Sequence, residues 1–317
     1  DVAIDSLAVS TLRADERARG NGFMFGGQYL GIMLGGGAAV FVTGQLGFRG
    51  ALAYVGTLCL MNLAYVLLFV HDPGVRPMAR RQPHFIRVMV AHLVAFVRDV
   101  YESFWRSGRG PIFGTAFALL PCGAMALAYA ILSTIQVDYG LDATQIAQLQ
   151  ILNTIAAAVG CLIGGFIADH FGIKRTVAAA FALTALVTFG LASQISRVGL
   201  TAVAPDFFFG SLIAHGLFFG VAYGSRNAIF MGMTNPAVAA TQFTAFMGMT
   251  NLAISMGNYW QGLVAGRMGY AAALYLDAAI ALLVIGLIPF LRAREAPAQR
   301  QVPVLVQAVP SPVVAGE

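Results

Sequence analysis

Long stretches without a charged residue are the feature that most constrains this chain. A helix of roughly 20 residues crosses a bilayer core of about 30 Å, and several of these stretches reach or exceed that length. Of the 317 residues, 58% are hydrophobic and only 10% are charged, whereas soluble domains carry about 25% charged residues. The uncharged stretches are 20–48, 50–71, 110–137, 143–168, 176–196, 207–225, 227–266 and 268–291, the last interrupted by Asp277 alone.

These stretches predict eight complete transmembrane helices. The stretch 227–266 divides at Asn235-Pro236, because proline ends a helix and restricts the residue before it. A ninth, partial helix is predicted over Asp1 to Leu12, ahead of the charged segment from Arg13 to Arg19. A closed β-barrel would instead show alternating segments of about ten residues.

The distribution of basic residues predicts the topology. If successive spans alternate sides, fifteen basic residues lie on one face and three on the other, and the positive-inside rule makes the first face cytoplasmic, together with the C-terminus. The net charge of +5 therefore reflects topology and lipid headgroups rather than a nucleic-acid surface. The first group is Arg13, Arg17, Arg19, the seven arginines from Arg76 to Arg109, Lys174, Arg175, Arg292, Arg294 and Arg300; the second is Arg49, Arg197 and Arg267.

The longest polar connection, 73–109, separates two helix groups. Apolar residues recur in it every three or four positions, which predicts an amphipathic helix at the membrane surface, serving as a linker or as a regulatory docking site. These residues are Phe85, Met89, Leu93, Phe96, Val100 and Phe104. The predicted domains are an N-terminal bundle remainder over 1–72, this cytoplasmic linker, a C-terminal six-helix bundle over 110–292, and a disordered tail over 293–317.

An internal repeat indicates two similar halves. Gly26 and Gly248 lie 222 residues apart, as do Gly47 and Gly269. Parallel repeats of this kind generate two halves around an axis normal to the membrane. The second half has six predicted helices and the first only two and a remnant, so we expect about 110 residues to be missing at the N-terminus.

The segment from Gly165 to Arg175 resembles the cytoplasmic-loop motif of the major facilitator superfamily. The family pattern G-x-x-x-D-x-x-G-x-[KR]-[KR] is matched by Gly165, Asp169, Gly172, Lys174 and Arg175. The resemblance implies an all-α membrane protein with the major facilitator fold, containing helices 4 to 12 of a twelve-helix 6+6 bundle. It also implies a gating latch whose partner lies near Arg19 and Asn21; the alternative is a generic basic loop.

A narrower resemblance is to the AmpG-like anhydromuropeptide permeases of the peptide/acetyl-coenzyme A transporter family. It is carried by Asp1-Val-Ala-Ile-Asp5, Glu16-Arg17-Ala-Arg19-Gly20, Gly27-Gln28-Tyr29-Leu30-Gly31, Gly35-Gly36, Asn235-Pro236 and Ala240-Thr241-Gln242-Phe243. It implies a bacterial inner-membrane transporter of muropeptides or related solutes. Where the group's seventh helix carries a lysine and an aspartate, this chain has Leu120 to Met125, so the substrate does not transfer with the fold.

Two carboxylates in the first helix are candidates for proton coupling. Asp1 and Asp5 lie four residues apart and share a helical face. A carboxylate within a membrane protein pays heavily to ionise, and a second carboxylate nearby adds to that penalty. Asp5 is therefore the candidate proton carrier, with Asp1 beside it, and a structural helix contact is the alternative.

Amides, aromatics and one arginine within the apolar helices are candidates for a substrate cavity, because polar groups facing lipid are costly. Helix–helix contacts are the alternative for the amides, and headgroup binding for the arginine. The candidates are Gln28, Tyr29, His215, Tyr223, Arg226, Asn227, Asn251, Asn258, Trp260 and Gln261.

The expected function is secondary transport of a small solute, coupled to protons, by a monomer that needs no cofactor. The sequence contains no nucleotide-binding glycine loop, nucleophile triad or metal-ligand spacing, so we do not expect an enzyme. Its three cysteines, Cys59, Cys122 and Cys161, lie within apolar spans. Other solutes, such as siderophores or sugars, remain open, as do a membrane-embedded enzyme and a non-transporting sensor.

Overall fold

The computed structural model describes residues 2–13, 15–70, 85–106, 109–235 and 238–291. In these ranges the chain forms eleven α-helices and no strand, with a π-helical turn over Met33–Gly37 between the second and third helices. Asp1, Pro236 and the predicted tail lie outside the described residues. The helices are α1 Val2–Thr11, α2 Arg17–Ile32, α3 Ala38–Phe69, α4 Phe85–Trp105, α5 Arg109–Ala118, α6 Leu132–Tyr139, α7 Ala143–Phe171, α8 Ile173–Val198, α9 Pro205–Met233, α10 Ala239–Met268 and α11 Tyr270–Ile285.

Five of the described helices are long and apolar enough to cross a membrane. The sequence predicted eight such spans. Of the others, α10 has 30 residues but carries several amides, and the predicted span 20–48 is divided among α2, the π-helical turn and the start of α3. The five spans are Phe41–Phe69, Thr144–Phe171, Ile173–Val198, Pro205–Met233 and Tyr270–Phe290.

The predicted continuous helix over 110–137 is wrong. The chain is helical in α5 and α6, but the thirteen residues 119–131 between them are not α-helical. Pro121 lacks an N–H to donate, and Gly123 adopts a φ of 71°, a left-handed conformation that glycine takes without strain. We call residues 119–131 the unwound segment.

The internal repeat is supported by the backbone at one matched pair of glycines. Gly47 interrupts α3 with φ 68° and ψ 179°. Gly269, which lies 222 residues later, ends α10 with φ 84° and ψ 168°. Both glycines therefore turn one helix into the next with nearly the same left-handed geometry, which other residues rarely adopt.

Close contacts through glycine bring α2 and α9 onto α7. A Cβ added at Gly220 of α9 would collide with the carbonyl oxygen of Ala157 of α7. A Cβ at Gly22 of α2 would lie 2.7 Å from the carbonyl oxygen of Cys161 of α7. Small residues that let helix backbones approach this closely are typical of membrane helix packing.

Polar contacts identify the two ends of the bundle. At one end, the Arg19 side chain meets Asp169. At the other end, the Tyr270 hydroxyl donates to Asp138 at 2.6 Å. The start of α2 therefore shares an end with the turn between α7 and α8, as the alternation of spans predicts.

The amphipathic helix α4 is fixed to the end of the bundle formed by the α9–α10 connection. Asn235 Nδ2 donates to Ser103 Oγ at 2.8 Å, and Gln242 Nε2 donates to the Ser103 carbonyl at 3.1 Å. Phe104 packs edge-on against Phe246, with ring centroids 5.3 Å apart. Tyr101 and Trp105 remain exposed. α4 thus occupies the segment where the apolar periodicity predicted a helix.

Replacing Gly220 with alanine should destabilise the protein, whereas Gly210→Ala should not. Both glycines lie in α9, but a Cβ at Gly210 would have no atom within 4 Å. Alanine gains about 1 kcal/mol of helix propensity over glycine, while overpacking at the α7–α9 contact costs about 1–3 kcal/mol. Thermal unfolding in detergent should give a lower midpoint for Gly220→Ala and an equal or higher midpoint for Gly210→Ala. Equal midpoints for the two variants would contradict this packing.

Candidate solute cavity and the unwound helix

A cavity of about 210 Å³ lies between α2, α7, α9 and the residues around the start of α6. Its walls are neutral: amides, hydroxyls, aromatic rings and one histidine, with no Asp, Glu, Lys or Arg among the lining residues. The lining residues are Gln28, Tyr29, Ile32, Ala128, Tyr129, Leu132, Gln150, Asn153, Thr154, Ala157, His215, Gly216, Phe219 and Tyr223.

Aromatic rings form one continuous part of this wall. The Phe219 ring contacts Tyr129 edge-on at 5.7 Å and stacks with Tyr223 at 6.0 Å. Tyr29 of α2 meets Tyr223 edge-on at 6.5 Å. Amides lie across the same cavity, so the cavity offers flat apolar faces together with hydrogen-bonding groups, a combination typical of small-molecule sites.

A buried arginine binds the carbonyl groups at the end of α5. Arg226 is fully buried, and its guanidinium donates to the carbonyl oxygen of Phe117 at 2.7 Å and to that of Leu120 at 2.9 Å. The same group lies 4.9 Å from the centre of the Phe117 ring. The last carbonyls of a helix have no partner within the helix and carry partial negative charge. Arg226 therefore supplies hydrogen bonds to carbonyl groups that lose their helical partners where α5 ends.

Further buried side chains hold the middle of the unwound segment. His215 Nε2 lies 2.8 Å from the Ala124 carbonyl oxygen. The Ala126 N–H donates to Asp277 Oδ2 at 2.8 Å, and Gln261 Nε2 donates to Asp277 Oδ1 at 2.7 Å. Backbone that leaves the helix inside a membrane protein is tolerated only where protein or water satisfies it. Here the backbone partners come from α8, α9 and α11, since the Ala124 N–H also donates to Thr184 Oγ1 at 3.4 Å.

The motif at the end of α7 meets the start of α2. Arg19 Nε donates to Asp169 Oδ2 at 2.6 Å, as the resemblance predicted for the position of the partner. A Cβ at Gly165 would lie 2.8 Å from the Ala18 carbonyl oxygen, so glycine permits this close approach. Gly172, with φ 92°, then turns the chain into α8. The exposed Lys174 and Arg175 are the second and third residues of this helix.

A second ion pair lies just before α2. Arg13 donates to Glu16 at 2.7 Å, and this hydrogen bond lowers the pKa of the exposed Glu16 carboxyl group. The carboxylate thus stays charged beside the N-terminus of α2, where the helix dipole favours negative charge.

Four of the predicted cavity residues do meet at one place. Gln28 and Tyr29 come from α2, and His215 and Tyr223 come from α9. The structure thus joins residues separated by 186 to 195 positions in the sequence, because α2 and α9 both pack on α7.

Arg226 and Asn227 do not line this cavity. We expected them at the end of their helix, but α9 continues to Met233, and both residues are buried. Arg226 therefore contacts neither lipid headgroups nor the cavity, since it is fully buried and its Nη2 donates to the carbonyl oxygens of Phe117 and Leu120. The side-chain atoms of Asn227 have no hydrogen-bond partner among the described residues.

The predicted group on α10 is not brought to the cavity either. Asn251 and Asn258 are exposed, and Trp260 is half-buried. These two asparagines lie seven residues apart and so share a helical face, one that the neighbouring described helices leave uncovered. Only Gln261 is fully buried, where it binds Asp277.

Asp5, one of the two predicted proton-coupling residues, is not among the residues that line the cavity. Asp5 is buried, with 8% of its surface exposed, and it lies in α1, which packs against α10. Asp1 lies outside the described residues.

Several cavity residues were missed in the sequence. Gln150, Asn153 and Thr154 follow one another at helical spacing inside the apolar stretch of α7, a signal equal to the one that selected Gln28. Tyr129 and Phe219 gave no comparable signal, because aromatic residues are ordinary in apolar helices.

Comparison with known families agrees with this architecture. The model of the Major Facilitator Superfamily matches residues 1–193 and also residues 113–315. This chain belongs to the major facilitator superfamily. Members of the superfamily move small solutes across membranes, and the chain is a multi-pass membrane protein. The motif from Gly165 to Arg175 lies inside both matched ranges.

The contact between Arg19 and the motif at the end of α7 can be tested by crosslinking. Cysteines at Arg19 and Asp169, placed in a cysteine-free background, should be joined by a short bifunctional reagent in membranes, because the native side chains touch. Cysteines at Arg19 and Arg197 serve as the control, since α8 alone separates position 197 from the end of the motif at Arg175 by about 33 Å at 1.5 Å per residue. Absence of any 19–169 link under every condition, in protein that is otherwise labelled, would contradict the contact.

Proposed function

We propose that this protein is a secondary active transporter of the bacterial inner membrane, related to the AmpG-like permeases and coupled to protons. Its substrate would be a muropeptide or a related glycan or peptide. The proposal places its C-terminus in the cytoplasm and treats the monomer as the working unit. The observation that carries it is the neutral cavity between α2, α7 and α9.

The chemistry of the cavity supports a polar, ring-containing solute. Sugar rings present apolar faces that pack on aromatic rings, and their hydroxyls and acetamido groups pair with amides. Tyr29, Tyr129 and Tyr223 supply the rings, and Gln28 and Asn153 supply amides. Unpaired charges are absent from the lining residues, which disfavours a solute that depends on a single strong ion pair.

Alternating access would act at the contact between α2 and α7. α2 belongs to the proposed first half and α7 to the second, and the cavity lies along their shared side. The Arg19–Asp169 pair would close the cytoplasmic end of this contact in one state and open in the other. Such a pair is partly exposed, so it contributes about 0–1 kcal/mol, a size suited to a contact that must break in each cycle.

Proton coupling is proposed at Asp5, with Asp1, four residues earlier in the sequence, as the second candidate. Asp5 is buried in α1, a helix that packs against α10, and this burial supports the role because a buried carboxylate in a membrane protein is functional more often than structural. Proton binding at Asp5 would favour one of the two states and so link the proton gradient to solute movement.

The uptake assay uses the intact protein reconstituted in liposomes with labelled anhydromuropeptide and an imposed pH gradient. Wild-type protein should accumulate the solute only with the gradient. In Asp5→Asn, the ratio of internal to external solute reached with the gradient should fall at least about tenfold, which corresponds to roughly 1.4 kcal/mol of lost driving force. Solute exchange across the membrane should be retained. Labelled sugars and siderophores, tested in parallel, identify the other solute classes.

Two outcomes would overturn parts of this proposal. Gradient-driven accumulation that survives in Asp5→Asn would exclude Asp5 as the coupling residue. Accumulation of none of the solutes, by protein that is folded and correctly inserted, would contradict the transport function itself.

A further inference from the structure

Asp277 is a buried carboxylate with no ion-pair partner among the described residues. It has no measurable exposed surface, and the salt bridges found in the described ranges involve other residues. Three neutral donors converge on it: the N–H of Ala126 at 2.8 Å, the N–H of Met125, and Gln261 Nε2 at 2.7 Å. This arrangement satisfies an ionised carboxylate with dipoles alone, without a neutralising charge.

Gln261, which donates to Asp277, can also accept a hydrogen bond from the protonated form of this carboxyl group. Gln261 is fully buried, and its Oε1 has no hydrogen-bond partner. A side-chain amide offers two donors on one side and an acceptor on the other. Rotation of the Gln261 amide would turn Oε1 toward Asp277, where it could accept a hydrogen bond from a carboxylic O–H. The pair therefore provides a hydrogen-bonding arrangement for each protonation state.

The backbone groups bound to Asp277 belong to the unwound segment, which continues into the cavity wall. Ala126 is held by the carboxylate, and Ala128 and Tyr129, two and three residues further on, line the cavity. The same stretch is bound at Ala124 by His215, another lining residue. A change at Asp277 thus reaches the cavity through at most three residues of backbone, and the N–H groups of Ala128 and Tyr129 themselves donate to the Met125 carbonyl oxygen.

We propose that Asp277 is the binding site of a proton whose arrival releases Met125 and Ala126 and moves the Tyr129 side of the solute cavity. A proton from water forms an O–H bond on the carboxylate, and that O–H donates to Gln261 Oε1. The neutral carboxyl group has fewer acceptor positions and no negative charge, so its hydrogen bonds from the N–H groups of Met125 and Ala126 weaken. This inference rests on the proposed proton-coupled transport and adds to it a coupling site in the second half of the protein.

Other titratable groups reach the same segment and must be separated from Asp277. The helices α8 and α10, which pack against α11, present Thr184 and Gln261 to this region, and neither titrates. The unwound segment itself carries Cys122. From α9, His215 binds Ala124, and Arg226 binds the carbonyls that precede the segment. Of these, His215 is the group whose titration could imitate that of Asp277.

The test measures protonation and movement without any transported solute, in the intact protein embedded in lipid. Infrared difference spectra between alkaline and acidic pH detect the C=O stretch of protonated carboxyl groups. A bimane fluorophore on Ala130→Cys, in a cysteine-free background, reports movement beside Tyr129. The wild-type background should show a protonated-carboxyl band and a shift of bimane emission with the same pH midpoint.

The variants distinguish a proton site from a merely structural carboxylate. Asp277→Asn, which imitates the protonated group, should remove this band and fix the emission at its acid value. Asp277→Glu keeps a titratable group and should restore both signals at a changed midpoint. Asp5→Asn and His215→Gln should each retain a band and an emission shift that Asp277→Asn removes.

The proposal fails if Asp277→Asn leaves the band and the pH-dependent emission unchanged. It also fails if the emission shift disappears in His215→Gln but persists in Asp277→Asn, because the histidine is then the switch. Since no solute is used, failure here leaves the transport function to be decided by the uptake assay alone.

Discussion

The structure depends on one constraint: a backbone that leaves the helix inside a membrane must find hydrogen-bond partners in the protein. An unsatisfied peptide group in hydrocarbon costs several kcal/mol, so the unwound segment could not exist without the side chains around it. Arg226 binds the Leu120 carbonyl near its start, Asp277 binds its N–H groups, and His215 binds the Ala124 carbonyl between them. Buried charges that would be costly in isolation are here offset by backbone dipoles of opposite sign.

The unwound segment also determines where function can be placed. Interrupted helices in transporters commonly mark binding sites near the middle of the membrane. In this chain, the residues that follow the interruption form one wall of the cavity, and the glycine contacts of α7 bring α2 and α9 to the other walls. The same α7 ends at Asp169, whose carboxylate meets Arg19. One helix therefore connects the cavity to the contact proposed to close the cytoplasmic end.

The sequence predicted the features that repeat or follow a simple period. Helices α7 to α11 follow from uncharged stretches, helix α4 from apolar periodicity, and the meeting of Asp169 with the start of α2 from a family motif. The broken helix was not predicted, because hydropathy reflects length and apolarity and carries no information on hydrogen bonding. Pro121 and Gly123 lie in a stretch without a charged residue. Arg226 and Gln261 were selected for their polarity. The partner of Arg226 is a backbone carbonyl 109 positions away, and the partner of Gln261 is a carboxylate 16 positions away. Pattern alone cannot show whether a buried polar group binds a solute or the protein itself.

The most direct test of this account is solid-state NMR of the intact protein in lipid bilayers, with alanine labelled at the carbonyl and Cα positions. The account predicts that Ala124 and Ala126 have chemical shifts outside the helical range, while Ala157 of α7 has helical shifts. Helical shifts at both Ala124 and Ala126 would show a continuous helix through this region. That result would contradict the unwound segment and the roles assigned to Arg226 and Asp277.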